Sequence, residues 1–175
     1  RAWLDSLLTN RMPKPGRMVL APMLNENGKL IGDFSVACLG EEEFYVIGSG
    51  IAEKYHMRWF EQHLPDDGTV TVRALGLGLL GLSIAGPKSR DLLARLVRDD
   101  VSNQAFRFMD FRRMDIGMVP ALVGRVSFTG DLGYEMWIAP EYQAHLFDLL
   151  METGADLGIT VFGGRALRSL SLEKG

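Results

Sequence analysis

The feature that most constrains the fold is a run of alternating apolar and polar residues at 125–135 (Arg-Val-Ser-Phe-Thr-Gly-Asp-Leu-Gly-Tyr-Glu). This alternation predicts two strands, and Gly130 and Gly133 suit a turn that requires positive φ. One carboxylate, Glu135, then falls inside an apolar strand. An unpaired carboxylate in a core costs several kcal/mol. Glu135 therefore faces solvent, pairs with a cation or binds a ligand, and solvent is the simplest of these explanations.

The composition supports a folded core and argues against two classes of partner. Of the 175 residues, 47% are hydrophobic, and the net charge of −3 comes with basic residues scattered along the chain. A nucleic-acid surface needs clustered basic residues, and a membrane span needs about 20 consecutive apolar residues. Neither pattern occurs in this sequence. We therefore expect no nucleic-acid partner and no membrane partner.

The single cysteine, Cys38, excludes an internal disulfide and fits a reducing compartment. It alternates with Val36 on a predicted strand, which favours a small core residue over a nucleophile. The chain begins with Arg1 rather than methionine and ends during an apolar–polar alternation. These two ends lead us to expect a fragment of a longer chain.

Hydrophobic periodicity and turn residues predict helices interleaved with hairpins rather than with single strands. Asn27-Gly28 is a strong hairpin signal, and Ser49 is a typical N-cap for a helix with the stripe Ile51, Tyr55 and Trp59. The order β-β-β-α-β, then β-α-β-β-α, predicts an α+β fold with mostly antiparallel sheets. The predicted strands are residues 17–24, 30–39, 44–47, 69–74, 79–85, 120–129 and 134–139, and the predicted helices are 49–64, a segment from Gly86 onward, and 142–154.

Two patterns that look like motifs do not predict a site. Residues 76–81 spell G-x-G-x-x-G, but a dinucleotide site needs a helix to begin at the motif, and here it runs into a strand. The histidines His56, His63 and His145 lack the spacing of metal ligands and are interpreted as surface residues. The sequence therefore predicts no metal site.

A second carboxylate, Asp33, lies early in a strand made otherwise of apolar and small residues. The simplest interpretation is an exposed strand end. The alternative is a buried functional carboxylate with a perturbed pKa. The residues alone leave both interpretations open.

Four segments occur together in the order expected of one family. They are residues 23–33 (Met-Leu-Asn-Glu-Asn-Gly-Lys-Leu-Ile-Gly-Asp), 84–90 (Ile-Ala-Gly-Pro-Lys-Ser-Arg), 128–135 (Phe-Thr-Gly-Asp-Leu-Gly-Tyr-Glu) and 162–174 (Phe-Gly-Gly-Arg-Ala-Leu-Arg-Ser-Leu-Ser-Leu-Glu-Lys). This ordered set resembles the folate-binding domain of the glycine-cleavage aminomethyltransferase, or T-protein, family. The stretches 48–50, 57–59 and 172–175 make it more similar to the C-terminal folate domain of dimethylglycine and sarcosine dehydrogenases.

The resemblance implies a partial T-protein cloverleaf around a folate pocket. Residues 17–78 with 159–175 would form one part, and residues 79–158 would form most of a ferredoxin-like second part. A C-terminal barrel and an N-terminal flavin domain would be absent from this chain. FAD would accordingly bind only in the missing N-terminal part of the parent protein.

The resemblance also implies roles for four residues. Asp33 falls on the family's acid near folate N10 and the incoming one-carbon unit, which implies a catalytic role. Glu135 falls on the acid that binds the pterin. Phe128 falls on a pocket tyrosine and keeps the ring without the hydroxyl, and Ser49 falls near a folate-contacting asparagine. The implied folate-binding residues are therefore Glu135, Phe128 and Ser49.

These implied roles agree with simple chemistry. The pterin edge presents a ring N–H beside an exocyclic NH₂, and the carboxylate of Glu135 can accept a hydrogen bond from each. The ring of Phe128 offers apolar contact to the pterin or the aminobenzoyl group. Asp33 can assist attack of a folate nitrogen on an iminium or formaldehyde equivalent by moving a proton or stabilising positive charge.

Three positions depart from the transferase pattern. Leu20 lies where the transferase usually has a tyrosine, and Leu167 and Ser171 each lie where it has an arginine. These changes weaken the expectation of transfer from a lipoyl-bound aminomethyl group. They affect less the dehydrogenase-type role, which is capture of formaldehyde on tetrahydrofolate.

Together, the residues and the resemblance predict a tetrahydrofolate-binding domain that accepts a one-carbon unit to form 5,10-methylenetetrahydrofolate. Its partners would be folate and a one-carbon donor, in the cytoplasm or, in a eukaryote, the mitochondrial matrix. Two alternatives stay open. One is a non-catalytic folate sensor or scaffold, and the other is a folate-dependent demethylase of another methylated substrate.

Overall fold

The computed structural model describes residues 1–174 and divides into two compact units, Arg1–Gly76 and Leu77–Gly175. Its helices and antiparallel sheets confirm the predicted α+β fold. The C-terminal segment, which the sequence analysis grouped with the first part, packs in the second unit. There Ile159 joins the core, and Lys174 Nζ lies 2.7 Å from Asp131 Oδ1. Gly175, the end of the closing motif, lies outside the described residues.

The first unit is built on a three-stranded antiparallel sheet. Its helices are α1 (Ala2–Leu7) and α2 (Glu53–Gln62), and its strands, in sheet order, are β1 (Met18–Leu24), β2 (Leu30–Cys38) and β3 (Phe44–Ile47).

The turn between β1 and β2 is held by one side chain. Asn25 Oδ1 accepts hydrogen bonds from the backbone N–H groups of Asn27 (3.0 Å) and Lys29 (2.9 Å). Gly28 completes the turn with φ of 71°, a conformation that glycine adopts without strain. The hairpin predicted from Asn27-Gly28 is therefore confirmed.

Helices α1 and α2 cover one face of this sheet, which we call the inner face of the first sheet. On β2, Phe34 and Val36 point into the core, whereas Asp33 and Ser35 alternate with them and point to the opposite, outer face. The core residues of this unit are Leu4, Leu8, Ala21, Met23, Ile31, Phe34, Val36 and Phe60.

The second unit is built on a four-stranded antiparallel sheet. Its strands are β4 (Leu80–Ala85), β5 (Phe111–Ile116), β6 (Val119–Gly124) and β7 (Gly133–Ile138), arranged in the order β4-β7-β6-β5, and its helices are α3 (Ser89–Leu96), α4 (Gln143–Thr153) and α5 (Gly164–Glu173).

The core of the second unit lies between the inner face of its sheet and helices α3 and α4. Tyr134, Met136 and Ile138 of β7 are buried there, together with Leu93 of α3 and Leu146 of α4. The alternation predicted for β7 is therefore confirmed. It directs the intervening residues of the strand to the outer face of the second sheet.

The hairpin predicted for residues 120–129 and 134–139 has the right partners but the wrong length. Strand β6 ends at Gly124, and residues 125–132 form a loop, so Phe128 does not lie on a strand as expected. Two side chains form hydrogen bonds with the backbone of Asp131 in this loop. Ser127 Oγ donates to its carbonyl, and Thr129 Oγ1 accepts from its N–H. Gly130 has positive φ as predicted, whereas Gly133 begins β7.

Two further strand predictions fail. Residues 69–74 alternate in hydropathy but have no ladder partner in the described chain, and Thr69 instead bonds to Asp67 Oδ1 through its backbone N–H and its hydroxyl. Strand β5 was not predicted. Arg113 and Asp115 lie on the same face of β5 as Phe111. These charged residues interrupt the apolar–polar alternation from which a strand is predicted.

The buried stripe of α2 is also different from the predicted one. Ile51 and Tyr55 are exposed, and the buried residues are His56 and Phe60. A 3-10 turn (Gly50–Ala52) precedes α2 and rotates the chain by more per residue than an α-helix does, so a stripe counted from Ile51 is displaced. The interpretation of His56 as a surface residue was therefore wrong, while His145 is exposed.

Replacing Gly133 with Ala should destabilise the second unit, because the new Cβ would lie 2.6 Å from the carbonyl oxygen of Ile84 and 2.7 Å from Ser127 Cβ. We expect this overpacking to lower the free energy of unfolding by about 1–3 kcal/mol in a urea titration. Gly78→Ala is the matched control, since a Cβ at Gly78 would meet no atom within 4 Å. Equal effects of the two substitutions would contradict the packing described for β7.

Candidate functional site

Glu135 occupies the middle of β7, on the outer face of the second sheet. Its cross-strand partners are Ser83 on β4 and Gly124 on β6. Residues that pair directly across strands share a face, so the carboxylate stands between two of the smallest side chains available. Neither cross-strand neighbour of Glu135 therefore carries a bulky side chain. Sequence reasoning could not find these two neighbours, because their register becomes known only when β4 is paired.

The carboxylate of Glu135 is half-buried, and burial raises its pKa above the ordinary glutamate value. Within residues 1–174, its side chain makes no hydrogen bond or ion pair. Three explanations were open for Glu135. Two of them, full exposure to solvent and pairing with a cation, are therefore excluded within the described residues. A partly desolvated acid without a partner is the kind of group that functional sites contain.

Phe128 lies in the loop 125–132, which begins directly after Gly124, the residue paired with Glu135. Its ring is 61% exposed, whereas the adjacent Thr129 is buried and anchors the loop. An exposed aromatic on a loop anchored in this way offers a flat apolar surface to a ligand. The second unit thus carries both Glu135 and Phe128. The loop that holds Phe128 begins at the end of β6, the strand that pairs with β7 at Glu135.

Asp33 and Ser49 belong to the first unit. Asp33 is exposed on the outer face of the first sheet, directly across from Pro22 on β1. Ser35 pairs with Ile47 on β3, so continuing this antiparallel register by two residues places Ser49 opposite Asp33. Asp33 thus has the exposure expected of the simpler interpretation, and the extended register brings it opposite Ser49, the other residue of this unit to which the resemblance assigns a role.

The surface next to Asp33 is apolar. Leu20, which is 53% exposed, pairs with Ser35 and lies on the same outer face as Asp33. This is the position at which the sequence analysis noted the loss of a tyrosine. On the β1 side, Asp33 therefore has a large exposed aliphatic side chain where the resemblance leads one to expect a tyrosine.

The described part of the chain contains neither a metal cluster nor a helix that could span a membrane. No cluster of three or more His, Cys, Asp or Glu side chains in residues 1–174 is arranged to hold a metal ion. None of the helices in the same residues has the length and apolar character needed to cross a membrane. The G-x-G-x-x-G run leads into β4 at Leu80, and α3 begins only at Ser89, as the sequence predicted.

Each unit thus has an antiparallel sheet with a candidate carboxylate on its outer face. The whole chain, residues 1–175, matches the family described as the GCVT N-terminal domain, and the chain belongs to that family. It is 32% identical over 174 residues to the mitochondrial dimethylglycine dehydrogenase of Homo sapiens, a match that covers 98% of this chain and 20% of that protein.

Two further relatives support the same assignment. The chain is 28% identical over 174 residues to the aminomethyltransferase of Halothermothrix orenii, covering 98% of this chain and 48% of that protein. The solved structure of the glycine cleavage system aminomethyltransferase T from Bartonella henselae matches the fold with a TM-score of 0.82 at 21% identity, covering 98% of this chain and 45% of that one. The predicted resemblance is thereby confirmed, and the chain spans a fifth to a half of the length of these relatives.

The raised pKa of Glu135 predicts how stability depends on pH. The folded chain binds this proton more tightly than the unfolded chain, so the free energy of unfolding falls as pH rises from about 4.5 through the raised folded value. At pH values above the raised pKa, the free energy of unfolding falls no further on account of Glu135. Glu135→Gln should therefore be more stable than wild type near pH 7.5 and should lose this advantage near pH 4.

Thermal unfolding across this pH range measures the effect, with Glu141→Gln as the control because Glu141 is an exposed carboxylate of the same unit. An advantage of Glu135→Gln that persists near pH 4, or that is absent near pH 7.5, would contradict the desolvation described here.

Proposed function

We propose that this chain is a tetrahydrofolate-binding domain that accepts a one-carbon unit to form 5,10-methylenetetrahydrofolate. The observation that carries the proposal is Glu135, a half-buried carboxylate without a partner in the described chain, whose pKa burial raises. Membership of the T-protein-type family gives this acid a ligand of suitable chemistry.

Glu135 would bind the pterin. The ring N–H and exocyclic NH₂ of a pterin lie side by side, and a carboxylate accepts both in a two-pronged hydrogen bond. The small neighbours Ser83 and Gly124 leave room for a flat ring beside the carboxylate. Such charge-assisted hydrogen bonds, shielded from water, contribute about 1.5–3 kcal/mol. They would offset the desolvation that the free carboxylate carries.

Phe128 and Ser49 would complete the folate contacts. The exposed ring of Phe128 would pack against the pterin or the aminobenzoyl group, and burying an exposed aromatic ring is favourable without any hydroxyl. Ser49 would contribute a small hydroxyl that can donate or accept a hydrogen bond.

Asp33 would assist the chemistry. When a folate nitrogen attacks formaldehyde or an iminium carbon, a C–N bond forms and the nitrogen must lose its proton. With formaldehyde, that proton passes to the carbonyl oxygen, and a second proton lets the oxygen leave as water, which creates a cationic iminium. The second nitrogen then attacks the iminium carbon, loses its own proton and closes the ring; with an iminium donor, the donor amine leaves in place of water. The exposed carboxylate of Asp33 would carry these protons between nitrogen and the leaving group, and it would stabilise the cationic iminium.

The parent protein would supply what this chain lacks. In a dimethylglycine dehydrogenase-like parent, FAD would bind in a separate part and oxidise the methylated amine, which generates the one-carbon unit. The sensor or scaffold alternative is favoured by one observation, the departures at Leu20, Leu167 and Ser171, which remove polar groups that the transferase pattern contains. That alternative predicts folate binding without transfer.

The binding part of the proposal is tested by calorimetric titration of tetrahydrofolate into the complete protein that carries this chain. Glu135→Gln should weaken binding about tenfold or more, which corresponds to at least about 1.4 kcal/mol. Glu141→Gln, a matched loss of an exposed carboxylate in the same unit, should leave the dissociation constant unchanged. Equal affinity of wild type and Glu135→Gln would exclude the proposed anchor.

The catalytic part is tested by Asp33→Asn in the same protein. This substitution keeps the size of the side chain and removes the charge, so we expect folate affinity to be retained and one-carbon transfer to fall by about 10²–10⁴-fold. Asp66→Asn, an exposed acid of the same unit, serves as the control. Unchanged turnover in Asp33→Asn, with wild-type folate binding, would favour the sensor or scaffold alternative.

A further inference from the structure

The buried His56 lies directly behind the strand that carries Asp33. It is a residue of α2, is only 7% exposed, and faces the inner side of the first sheet. Its ring meets the ring of Phe34 edge-on, with centroids 4.7 Å apart and an interplanar angle of 71°. The proposed function above gives this histidine no role.

Two glycines are pressed against this pair of rings. A Cβ on Gly32 would lie 2.6 Å from Phe34 Cζ and 2.8 Å from His56 Nε2. A Cβ on Gly48 would lie 2.7 Å from Phe34 Cε1 and 3.5 Å from His56 Nδ1. These distances leave no room for a side chain at Gly32. At Gly48 a side chain would fit only if the ring of Phe34 shifted. The backbone at the ends of β2 and β3 therefore rests on the rings of His56 and Phe34.

These glycines precede the two candidate site residues of the first unit. Gly32 is followed by Asp33 and Gly48 by Ser49, and extending the register of β2 with β3 by two residues beyond the pair Ser35 and Ile47 brings Asp33 opposite Ser49. Because side chains alternate across a strand, the rings lie on one side of the backbone and the carboxylate of Asp33 lies on the other.

We infer that His56 is a positioning residue, which together with Phe34 fixes the spacing of Asp33 and Ser49 on the outer face of the first sheet. The inference rests on the proposed function, since it assigns a role within that same site. His56 does not touch the reacting atoms, because the backbone of β2 stands between its ring and Asp33. Its effect is to hold the strand ends in one arrangement, and catalytic groups displaced by about 1 Å can lose about 10²-fold in rate.

Phe60 provides a matched control for ordinary core packing. It is buried in the same core and its ring centroid lies 5.8 Å from that of Phe34, yet it is not among the nearest atoms to a Cβ at Gly32 or Gly48. Phe60→Leu should therefore lower stability without moving Asp33. His56→Phe keeps a planar ring at position 56 and should preserve the spacing.

The experiment compares His56→Ala, His56→Phe and Phe60→Leu in the complete protein that carries this chain. The measurements are kcat for folate-dependent one-carbon transfer, the dissociation constant of tetrahydrofolate, and the thermal midpoint. We expect His56→Ala to lower kcat about ten- to hundredfold and to change folate affinity by less than about threefold, because the proposed pterin anchor, Glu135, does not lie on the strands that His56 supports. His56→Phe should restore most of kcat, and Phe60→Leu should lower the thermal midpoint without this loss of kcat.

Hydrogen exchange measured by mass spectrometry gives a readout that needs no activity. Peptides covering residues 31–35 and 46–50 should exchange faster in His56→Ala than in Phe60→Leu. A wild-type protein without folate-dependent transfer would defeat the proposed function, and these peptides would still decide the positioning role. Unchanged exchange in His56→Ala, or a loss of kcat that Phe60→Leu reproduces, would overturn the inference.

Discussion

The arrangement of this chain depends on two antiparallel sheets, each of which packs helices against its inner face. In the first unit α1 and α2 cover the inner face, and in the second unit α3 and α4 do so. Since strand side chains alternate, every apolar residue directed into these cores sends its neighbour to the outer face. The positions of Asp33, beside Phe34, and of Glu135, between Tyr134 and Met136, follow from this constraint.

Glu135 shows how a fold can hold a group that does not stabilise it. Burial raises its pKa, so at neutral pH the ionised carboxylate lowers the stability of the second unit. Replacing Glu135 with glutamine would remove this loss of stability. An acid that costs stability where an uncharged side chain would fit agrees with the ligand proposed for Glu135, and its cross-strand neighbours Ser83 and Gly124 are small.

Local patterns allowed part of this fold to be predicted from the sequence. Asn27-Gly28 gave the first hairpin, and the alternation around Glu135 gave both the strand β7 and the outward direction of the carboxylate. The failures occurred where distant contacts override a local pattern. Residues 69–74 alternate but find no partner strand, and residues 125–132 alternate but bond their backbone to the side chains of Ser127 and Thr129 instead.

The candidate site was predictable to a similar extent. Residue types and the family resemblance selected Asp33, Ser49, Phe128 and Glu135, but register across strands is a long-range property that no single segment encodes. The pairing of Glu135 with Ser83 and Gly124 therefore emerged only from the structure.

The burial of His56 was not predicted, because the 3-10 turn before α2 displaces the buried stripe of that helix and directs His56 into the core. A histidine flanked by Tyr55 and Met57 in an amphipathic helix does not by itself show which of these residues is buried. What identifies it is the absence of side chains at Gly32 and Gly48, which allows its ring and that of Phe34 to approach the backbone. The same two glycines bring the backbone at the ends of β2 and β3 against these rings, and this contact is why we assign the spacing of the proposed site on the outer face to packing on the inner one.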